Sequence, residues 1–366
     1  MTDADYMRIA LEIARYGEGR TSPNPMVGAV IVKNGQIVGT GWHRAAGTPH
    51  AEIHALNMAG DLAKGATLYV NLEPCAHYGR TGPCAEAIKA AGVARVVASL
   101  LDPNPKVAGK GGRLLTEAGI EFSVGCMAEE AAELNEVFLT WMTKKRPFIV
   151  MKTAMTLDGK IAAADGTPGR ITGEESLAQV HLWRDMYDGI MVGSNTVKRD
   201  NPALTTRLTG VKKNLGQNPC RIILDSMAKI PLTAQVLTDN AAPTIVAVTK
   251  RAPAERVKKI ISVGGEVITA GDGERVDLPL LMRILAERNI CSILAEGGGT
   301  VNFALLEAGL VDKVQAFIAP KLLGGRTAPT PADGAGFAGV EAAVMLDNIS
   351  VRQLGTDVLI SGYVRR

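Results

Sequence analysis

The sequence has little of what would place the protein outside the cytoplasm or against a nucleic acid. It contains five cysteines in 366 residues, an odd and scattered set that argues against a disulfide framework. No apolar run approaches the about 18 residues of a membrane-spanning helix, and the acidic start lacks the apolar core of a secretory signal. Neither charge predominates, because 40 basic and 37 acidic residues leave a net charge of +3 without a basic stripe. We therefore expect a cytoplasmic protein with no nucleic-acid or membrane partner.

The length of the chain and the residues around 143–147 predict two domains. A chain of 366 residues is longer than one core usually organises, and a hydrophobic content of 46% can fill two. Charged residues cluster at 143–147, where Pro147 prevents a helix from continuing. We therefore expect one domain over 1–145 and a second over 146–366.

The most informative feature present is a set of potential metal ligands in the first half. His50, Cys75 and Cys84 supply one imidazole and two thiols, which is the ligand number of a catalytic zinc site that keeps a position for water. Glu52 lies two residues beyond the candidate ligand His50, where it can move protons without binding the metal. The pattern H-x-E followed by P-C is typical of nucleobase deaminases, although those have two residues between the cysteines and this chain has eight.

These residues allow two other interpretations. Seen singly, a histidine and two cysteines are commonly part of a hydrophobic core. His54 forms an H-x-x-x-H pair with His50, but Ala51 stands where a metalloprotease of the H-E-x-x-H type has its glutamate, so a protease is rejected. A proline directly before Cys84 favours a helix start there, which would let both thiols reach one metal.

Local patterns in the first half predict alternating helices and strands, and hence a layered α/β sheet. An Asn-Gly pair at 34–35 indicates a hairpin between the first two strands. The predicted helices are 3–16, 50–58, 85–91 and 129–141, and the predicted strands are 27–32, 37–41, 66–72 and 95–101. His50 and Cys84 are thereby expected at helix starts, where the positive end of the helix dipole favours anionic ligands.

The second half has the same alternation, which predicts a mainly parallel sheet. The predicted strands are 148–151, 189–192, 221–224, 244–248 and 292–295, and helices are predicted at 175–187, 278–288 and 301–308. A glycine-rich turn, E-G-G-G-T at 296–300, joins the last of these strands to the last helix. Such a turn can present backbone N–H groups to a phosphate, although a simple tight turn is at least as good an explanation.

The motifs of the first half resemble those of the bifunctional deaminase and reductase family of riboflavin biosynthesis. The motifs are SPNPMVG at 22–28, HAE at 50–52 and EPCAHYGRTGPC at 73–84, whose long cysteine spacing is typical of that family. The resemblance implies a three-layer fold of the cytidine deaminase type, one zinc ion on His50, Cys75 and Cys84, and Glu52 as the proton shuttle. It also implies that Asn24 orients the substrate, and that Arg80 or His77 meets its phosphate. A solvated surface charge is an equally good explanation of Arg80.

The second half resembles the reductase part of the same family, which has a fold similar to that of dihydrofolate reductase. The motifs are KTAMTLDGKIA at 152–162, GSNTV at 193–197, DNPALTTR at 200–207 and EGGGT at 296–300. The resemblance implies NADPH as the hydride donor. The implied cofactor-binding residues are Ala154, Arg170, Thr196, Asp200, Ser226, Gly297, Gly298, Gly299 and Thr300. The implied substrate-binding residues are Lys152, Pro168, Arg184, Leu204, Arg207 and Glu296.

Several of these residues have a simpler explanation. Arg184 and Arg207 can bind phosphate with two hydrogen bonds each, or lie on a solvated helix face and a solvated loop. Lys152 and Glu296 are expected to face each other, either to hold the ribose hydroxyls or as a buried structural ion pair, since a lysine on an apolar strand needs a partner.

The family resemblance predicts a homo-oligomeric enzyme, a dimer or tetramer, that acts on phosphorylated pyrimidines. It would remove the amino group of 2,5-diamino-6-ribosylamino-4(3H)-pyrimidinone 5′-phosphate and then reduce the ribosyl group to ribityl. One alternative is a nucleoside or tRNA-adenosine deaminase fused to an unrelated nucleotide-binding domain. Another is a zinc-stabilised binding module, which would have a fourth protein ligand on the metal.

Overall fold

The computed structural model describes residues 1–76, 82–104, 108–165, 169–210 and 216–365. The chain divides into two compact units, Met1–Lys145 and Arg146–Arg366. Within the described residues, none of the helices has the combined length and hydropathy of a bilayer-spanning segment.

The first unit contains a five-stranded sheet and six α-helices in its described residues. In chain order its elements are α1 (Asp3–Ala14), β1 (Gly28–Lys33), β2 (Gln36–Trp42), α2 (Ala51–Ala59), β3 (Thr67–Leu72), α3 (Cys84–Ala90), β4 (Arg95–Leu100), α4 (Lys110–Glu117), β5 (Glu121–Val124), α5 (Ala128–Leu134) and α6 (Glu136–Lys144), with short 3₁₀ turns at Arg15–Gly17 and Gly60–Ala63. The strand order is β2-β1-β3-β4-β5. β1 is antiparallel to both of its neighbours, whereas β3, β4 and β5 are parallel.

Helices cover both faces of this sheet, because successive side chains of a strand point to opposite sides. Val30 and Val32 of β1 pack with α1, while Ala29 and Ile31 pack with α2 and α3. The hairpin between β1 and β2 turns at Asn34-Gly35, where both residues have positive φ, as a two-residue hairpin turn requires. The three-layer arrangement that the sequence predicts is confirmed.

The predicted single helix over 129–141 is wrong, because the chain forms two helices that meet at Asn135. The backbone there leaves the helical region, with φ −107° and ψ 25°. The side chain of Asn135 accepts a hydrogen bond from the Met26 N–H at 2.8 Å and donates one to the Met26 carbonyl at 2.9 Å. These two bonds to a distant loop fix Asn135 where the helix would otherwise continue, and apolar periodicity gives no sign of them.

The second unit contains a nine-stranded sheet in its described residues. In chain order its elements are β6 (Phe148–Thr156), α7 (Glu174–Met186), β7 (Gly189–Gly193), α8 (Ser194–Asp200), β8 (Cys220–Leu224), α9 (Gln235–Thr238), β9 (Thr244–Val248), α10 (Ala254–Ser262), β10 (Glu266–Thr269), α11 (Leu278–Glu287), β11 (Ser292–Ala295), α12 (Gly299–Glu307), β12 (Lys313–Ala319), β13 (Leu346–Leu354) and β14 (Asp357–Val364), with a 3₁₀ turn at Val340–Ala342. The strand order is β10-β9-β8-β7-β11-β6-β12-β14-β13.

The mainly parallel character predicted for this sheet is confirmed. Every neighbouring pair from β10 to β12 is parallel, and only the pairs that involve β14 are antiparallel. All five predicted strands are present, and the prediction missed β10, β12, β13 and β14. Parallel strands bring their carboxyl ends to one edge of the sheet, where ligands of open α/β sheets commonly bind.

Candidate active sites of the two units

The three predicted metal ligands converge in the first unit. His50 is the residue before α2, Cys75 follows β3, and Cys84 is the first residue of α3. Their ligand atoms all lie within 4.8 Å of one another. His50 Nδ1 is 3.2 Å from Cys84 Sγ and 3.6 Å from Cys75 Sγ. One imidazole nitrogen and two sulfurs form a donor set that suits zinc.

The hydrogen bonds around the two sulfurs favour a thiolate at Cys75. Hydrogen bonds from the Cys84 thiol and then from His50 lower the pKa of Cys75 to about 4. The backbone N–H of Cys84 also donates to Cys75 Sγ at 3.3 Å. The hydrogen bond to Cys75 raises the pKa of His50, and the same neighbour raises the pKa of Cys84. The site is therefore prepared for a cation, because a thiolate and the donor atoms around it already face one point.

Glu52 lies in the first turn of α2 and is 3% exposed. Burial raises the pKa of its carboxyl group. Its Oε2 atom has no hydrogen-bond partner among the described residues. A buried carboxyl oxygen without a partner is costly, so this atom fits a site whose ligand supplies the missing bond. The donor set and the unpartnered oxygen together fit a zinc ion with a bound water.

Asn24, which was predicted to orient the substrate, contacts His43, a residue that the sequence did not indicate. Its Nδ2 atom is 3.0 Å from His43 Nε2. The His43 ring meets the His50 ring edge-on, with 5.4 Å between centroids, and its Nδ1 is 3.3 Å from the Pro49 carbonyl. Burial lowers the pKa of His43, so the ring is neutral, donates to Pro49 and accepts from Asn24. Its sequence neighbourhood contains no motif that would have indicated this role.

A cavity of about 670 Å³ lies in the second unit, where β7, β8 and β11 end. All nine residues predicted to bind the cofactor line it, namely Ala154, Arg170, Thr196, Asp200, Ser226, Gly297, Gly298, Gly299 and Thr300. Lys152 and Glu296 line it as well. Residues that are far apart in sequence therefore share one concave site, as a dinucleotide-binding cavity requires.

The glycine-rich turn lies at the N-terminus of α12, as predicted. Gly298 precedes the helix and Gly299 begins it. A Cβ atom on Gly299 would lie 2.4 Å from a carboxylate oxygen of Asp333 and 2.5 Å from the Thr330 carbonyl, so only glycine fits there. Gly299 therefore serves close packing. The turn and the helix N-terminus line the cavity, where backbone N–H groups can meet a phosphate, and that role of the glycines stays a prediction.

Glu296 has two cationic neighbours rather than the single one predicted. Arg184 donates to both carboxylate oxygens, at 2.7 and 2.9 Å, while Lys152 Nζ lies 3.7 Å from Oε2. Burial alone would raise the pKa of Glu296, but the charges of Arg184 and Lys152 lower it to about 2. Glu296 is therefore an anion at neutral pH. The resemblance implied a substrate role for Arg184, and the structure pairs its guanidinium with this carboxylate.

The remaining predicted substrate residues do not line the cavity in the described structure. Leu204 is 3% exposed and packs in a hydrophobic cluster with Ile190 and Val197. The Arg207 N–H donates to His181 Nδ1 at 3.2 Å. Burial, together with the charges of Arg184 and Arg207, lowers the pKa of His181 to about 4, so it accepts this bond in its neutral form. Arg80, His77 and Pro168 lie outside the described residues.

Comparison with known proteins covers both units. The family described as the cytidine and deoxycytidylate deaminase zinc-binding region matches residues 1–100, and the RibD C-terminal domain matches residues 147–360. The riboflavin biosynthesis protein RibD of Bacillus amyloliquefaciens is 44% identical over 97% of this chain and 95% of its own length. That of Escherichia coli is 45% identical over 88% of this chain and 89% of its own.

The chain belongs to the RibD family.

Solved structures of RibD proteins agree with this assignment. Form 1 of Acinetobacter baumannii RibD has a TM-score of 0.90 and 38% identity, and the match covers 100% of this chain and 99% of that one. A Thermotoga maritima protein described as a diaminohydroxyphosphoribosylaminopyrimidine deaminase/5-amino-6-(5-phosphoribosylamino)uracil reductase has a TM-score of 0.85 and 35% identity, with 99% of both chains covered.

Membership of the RibD family confirms the predicted fold class and the predicted bifunctional deaminase and reductase of riboflavin biosynthesis. It contradicts the alternative of a nucleoside deaminase with an unrelated second domain, because RibD relatives match this chain along almost its whole length. A binding module held together by zinc is excluded for the same reason.

Proposed function

We propose that each unit carries one of the two activities, deamination in residues 1–145 and reduction in residues 146–366. The substrate of the first reaction is 2,5-diamino-6-ribosylamino-4(3H)-pyrimidinone 5′-phosphate, and the second reaction reduces the ribosyl group of the deaminated product. The observation that carries the proposal is the convergence of His50, Cys75 and Cys84 beside the unpartnered carboxyl oxygen of Glu52. The name of the Thermotoga maritima relative supports the choice of substrates.

In the deaminase site, His50, Cys75 and Cys84 would hold one zinc ion. When bound, zinc lowers the pKa of a coordinated water and so makes a nucleophile available near neutral pH. Glu52 Oε2 accepts a proton from the attacking water and delivers it to the departing amino nitrogen. The water oxygen first adds to the ring carbon to form the C–O bond, and the C–N bond then breaks as the protonated amino group leaves as ammonia. A buried carboxyl group with a raised pKa suits both halves of this proton transfer.

Asn24 and His43 would orient the pyrimidine in this site. The His43 ring is fixed by the Pro49 carbonyl on one side and by the Asn24 amide on the other. The side-chain oxygen of Asn24, Oδ1, has no hydrogen bond to any described residue. It can therefore accept a hydrogen bond from an amino group of the substrate. Arg80, in the segment between the two cysteines, would meet the phosphate.

In the reductase site, the cavity lined by Ala154, Thr196 and Gly297 would hold NADPH, which supplies the hydride. Lys152 Nζ faces the cavity beside Glu296, so it can donate a proton to the sugar oxygen as the ring opens. Glu296 would accept hydrogen bonds from ribose hydroxyls. Arg184 holds the Glu296 carboxylate in place through two hydrogen bonds.

Metal analysis combined with two activity assays tests the proposal on the full chain. Purified enzyme should contain about one zinc per chain and release ammonia from the diaminopyrimidine phosphate. Removal of the metal with a chelator should abolish ammonia release and leave NADPH oxidation with the deaminated substrate intact. Full ammonia release from metal-free enzyme would contradict the zinc site, and loss of both activities together would contradict two separate sites.

We also propose that the enzyme is a homo-oligomer in which β13 meets a second copy of this chain. β13 lies at the end of the nine-stranded sheet, and Ile349 and Val351 on it are 59% and 64% exposed. An edge strand that exposes apolar side chains is prone to pair with another chain. A self-complementary contact of two such edges would give a dimer.

Placing a charge on β13 should dissociate this oligomer. Val351→Lys would bury an ammonium group in the contact, which is unfavourable, so the mass measured by analytical ultracentrifugation should fall to that of the monomer. Ile261→Lys, at a 55% exposed position on α10, serves as the matched control and should keep the mass of the unaltered enzyme. If Val351→Lys has the mass of the unaltered enzyme, β13 does not form the contact.

We further propose that the enzyme works in the cytoplasm. All five cysteines are free thiols, which a reducing compartment preserves. Two of them are needed as metal ligands, so oxidation of Cys75 and Cys84 to a disulfide would disable the deaminase site.

A further inference from the structure

Two arginines that the sequence analysis did not single out line the reductase cavity. Arg199 lies near the end of α8, and Arg275 lies in the loop before α11. The loop of Arg275 is attached to the end of β8, because the Val276 N–H donates to Ser226 Oγ at 3.2 Å. Both arginines therefore lie at the side of the cavity formed by β7 and β8.

Neither guanidinium group makes a hydrogen bond or a salt bridge with another described residue. Nearby arginines differ in this respect, since Arg251 pairs with Glu274 at 3.2 Å and Arg170 with Glu174 at 3.6 Å. Asp200 also lines the cavity, and the charge of Arg199 acts on it against the effect of its burial. Two guanidinium groups and one carboxylate leave this side of the cavity with an excess of positive charge, which suits an anionic group of a ligand.

The distance across the sheet indicates which part of a bound cofactor would supply this anionic group. Lys152 and Glu296 belong to β6 and the end of β11, and the strand order β8-β7-β11-β6 places β8 three strand spacings from β6. With about 4.8 Å per spacing, the two sides of the cavity are about 14 Å apart. A dinucleotide whose nicotinamide reaches Lys152 and Glu296 must therefore extend its adenosine half towards β8, Ser226 and Arg275.

We propose that Arg199 and Arg275 bind the 2′-phosphate of NADPH and thereby select NADPH over NADH. This inference rests on the proposed reductase function of the same cavity. The two cofactors differ only in that phosphate, and a guanidinium group binds phosphate oxygens in pairs. Dinucleotide sites for NAD typically place a carboxylate at the ribose hydroxyl, whereas sites for NADP place an arginine there. The carboxylate of Asp200 is outnumbered here by two arginines.

Steady-state kinetics of the full chain with both cofactors test the inference. Arg199→Gln and Arg275→Gln should each raise the KM for NADPH about tenfold or more, because each loses a charge-assisted hydrogen bond, and should leave the KM for NADH unchanged. Arg251→Gln is the matched control, since Arg251 pairs with Glu274 and does not line the cavity, and it should change neither value. An equal increase in the KM for NADPH and the KM for NADH, or no change in either KM, would overturn the inference.

Calorimetric binding of 2′,5′-ADP and 5′-AMP separates this inference from the reductase function itself. Unaltered enzyme should bind 2′,5′-ADP more tightly than 5′-AMP, and each of the two arginine variants should reduce that difference. If the unaltered enzyme oxidises NADPH and NADH equally well, the selection is contradicted while the reductase function stands. If it oxidises neither NADPH nor NADH with the deaminated substrate, the proposed reductase function fails. Binding of 2′,5′-ADP and 5′-AMP with equal affinity would overturn the inference independently of the activity assay.

Discussion

Replacing Glu52 with glutamine is expected to abolish ammonia release while the protein keeps its zinc. Glutamine has nearly the same shape but cannot accept and return a proton, so kcat for deamination should fall by about a thousandfold. The zinc content should not change, because Glu52 is not one of the three converging ligands. The measurements are ammonia release by a coupled assay and zinc by elemental analysis.

Two controls make this result specific to the proton transfer. NADPH oxidation with the deaminated substrate should be unchanged in the Glu52→Gln variant, because the reductase cavity is formed by the second unit. Glu86→Gln, on α3 of the same unit, removes the charge of a partly exposed glutamate that pairs with Lys89, and should retain ammonia release. Full deaminase activity in Glu52→Gln would remove Glu52 from the mechanism.

Lys152→Met is expected to lower kcat for reduction by about a hundredfold with little loss of stability. The stability should persist because Arg184 alone still neutralises Glu296 through two hydrogen bonds. The KM for NADPH should change little, since Lys152 is proposed to act on the sugar. NADPH oxidation and thermal melting of the same preparation give both quantities.

Arg184→Met provides the contrast, because it removes the closer of the two cations from a buried carboxylate. Glu296 would then keep only Lys152, at 3.7 Å, and breaking a buried ion pair in this way costs about 3 kcal/mol. We therefore expect a lower melting temperature for Arg184→Met than for Lys152→Met. Unchanged turnover in Lys152→Met would assign Lys152 to a structural ion pair and contradict its role in proton donation.

The parts of the fold that the sequence predicted well are those determined by local pattern. The hairpin at Asn34-Gly35 follows from two residues that tolerate positive φ, and the buried strands β7, β9 and β11 are short apolar runs. The prediction missed β13, whose side chains are mostly exposed and show no clear alternation. It also missed the break at Asn135, which depends on hydrogen bonds to Met26, 109 residues away.

The residues of the two candidate sites also differ in how far the sequence alone could predict them. His50, Cys75, Cys84 and Glu52 could be predicted because few other side chains provide soft metal ligands beside a carboxylate, and they lie within one short stretch of sequence. The bidentate bond from Arg184 to Glu296 spans 112 residues, and only the arrangement of α7 beside the end of β11 brings the two together. His43 was missed because its role depends on the orientation of a ring that meets His50 edge-on.

Two of the three proposed zinc ligands, His50 and Cys84, lie at the starts of helices. Ala51 and Ala55 of α2 and Ala85 and Ile88 of α3 are packed in the core of the first unit. These apolar contacts hold both helices in place whether or not an ion is bound, in contrast to zinc fingers, which fold only around their metal. We therefore expect zinc to load onto a chain that has already folded, and we expect the metal-free protein to remain folded and to regain deaminase activity when the ion returns.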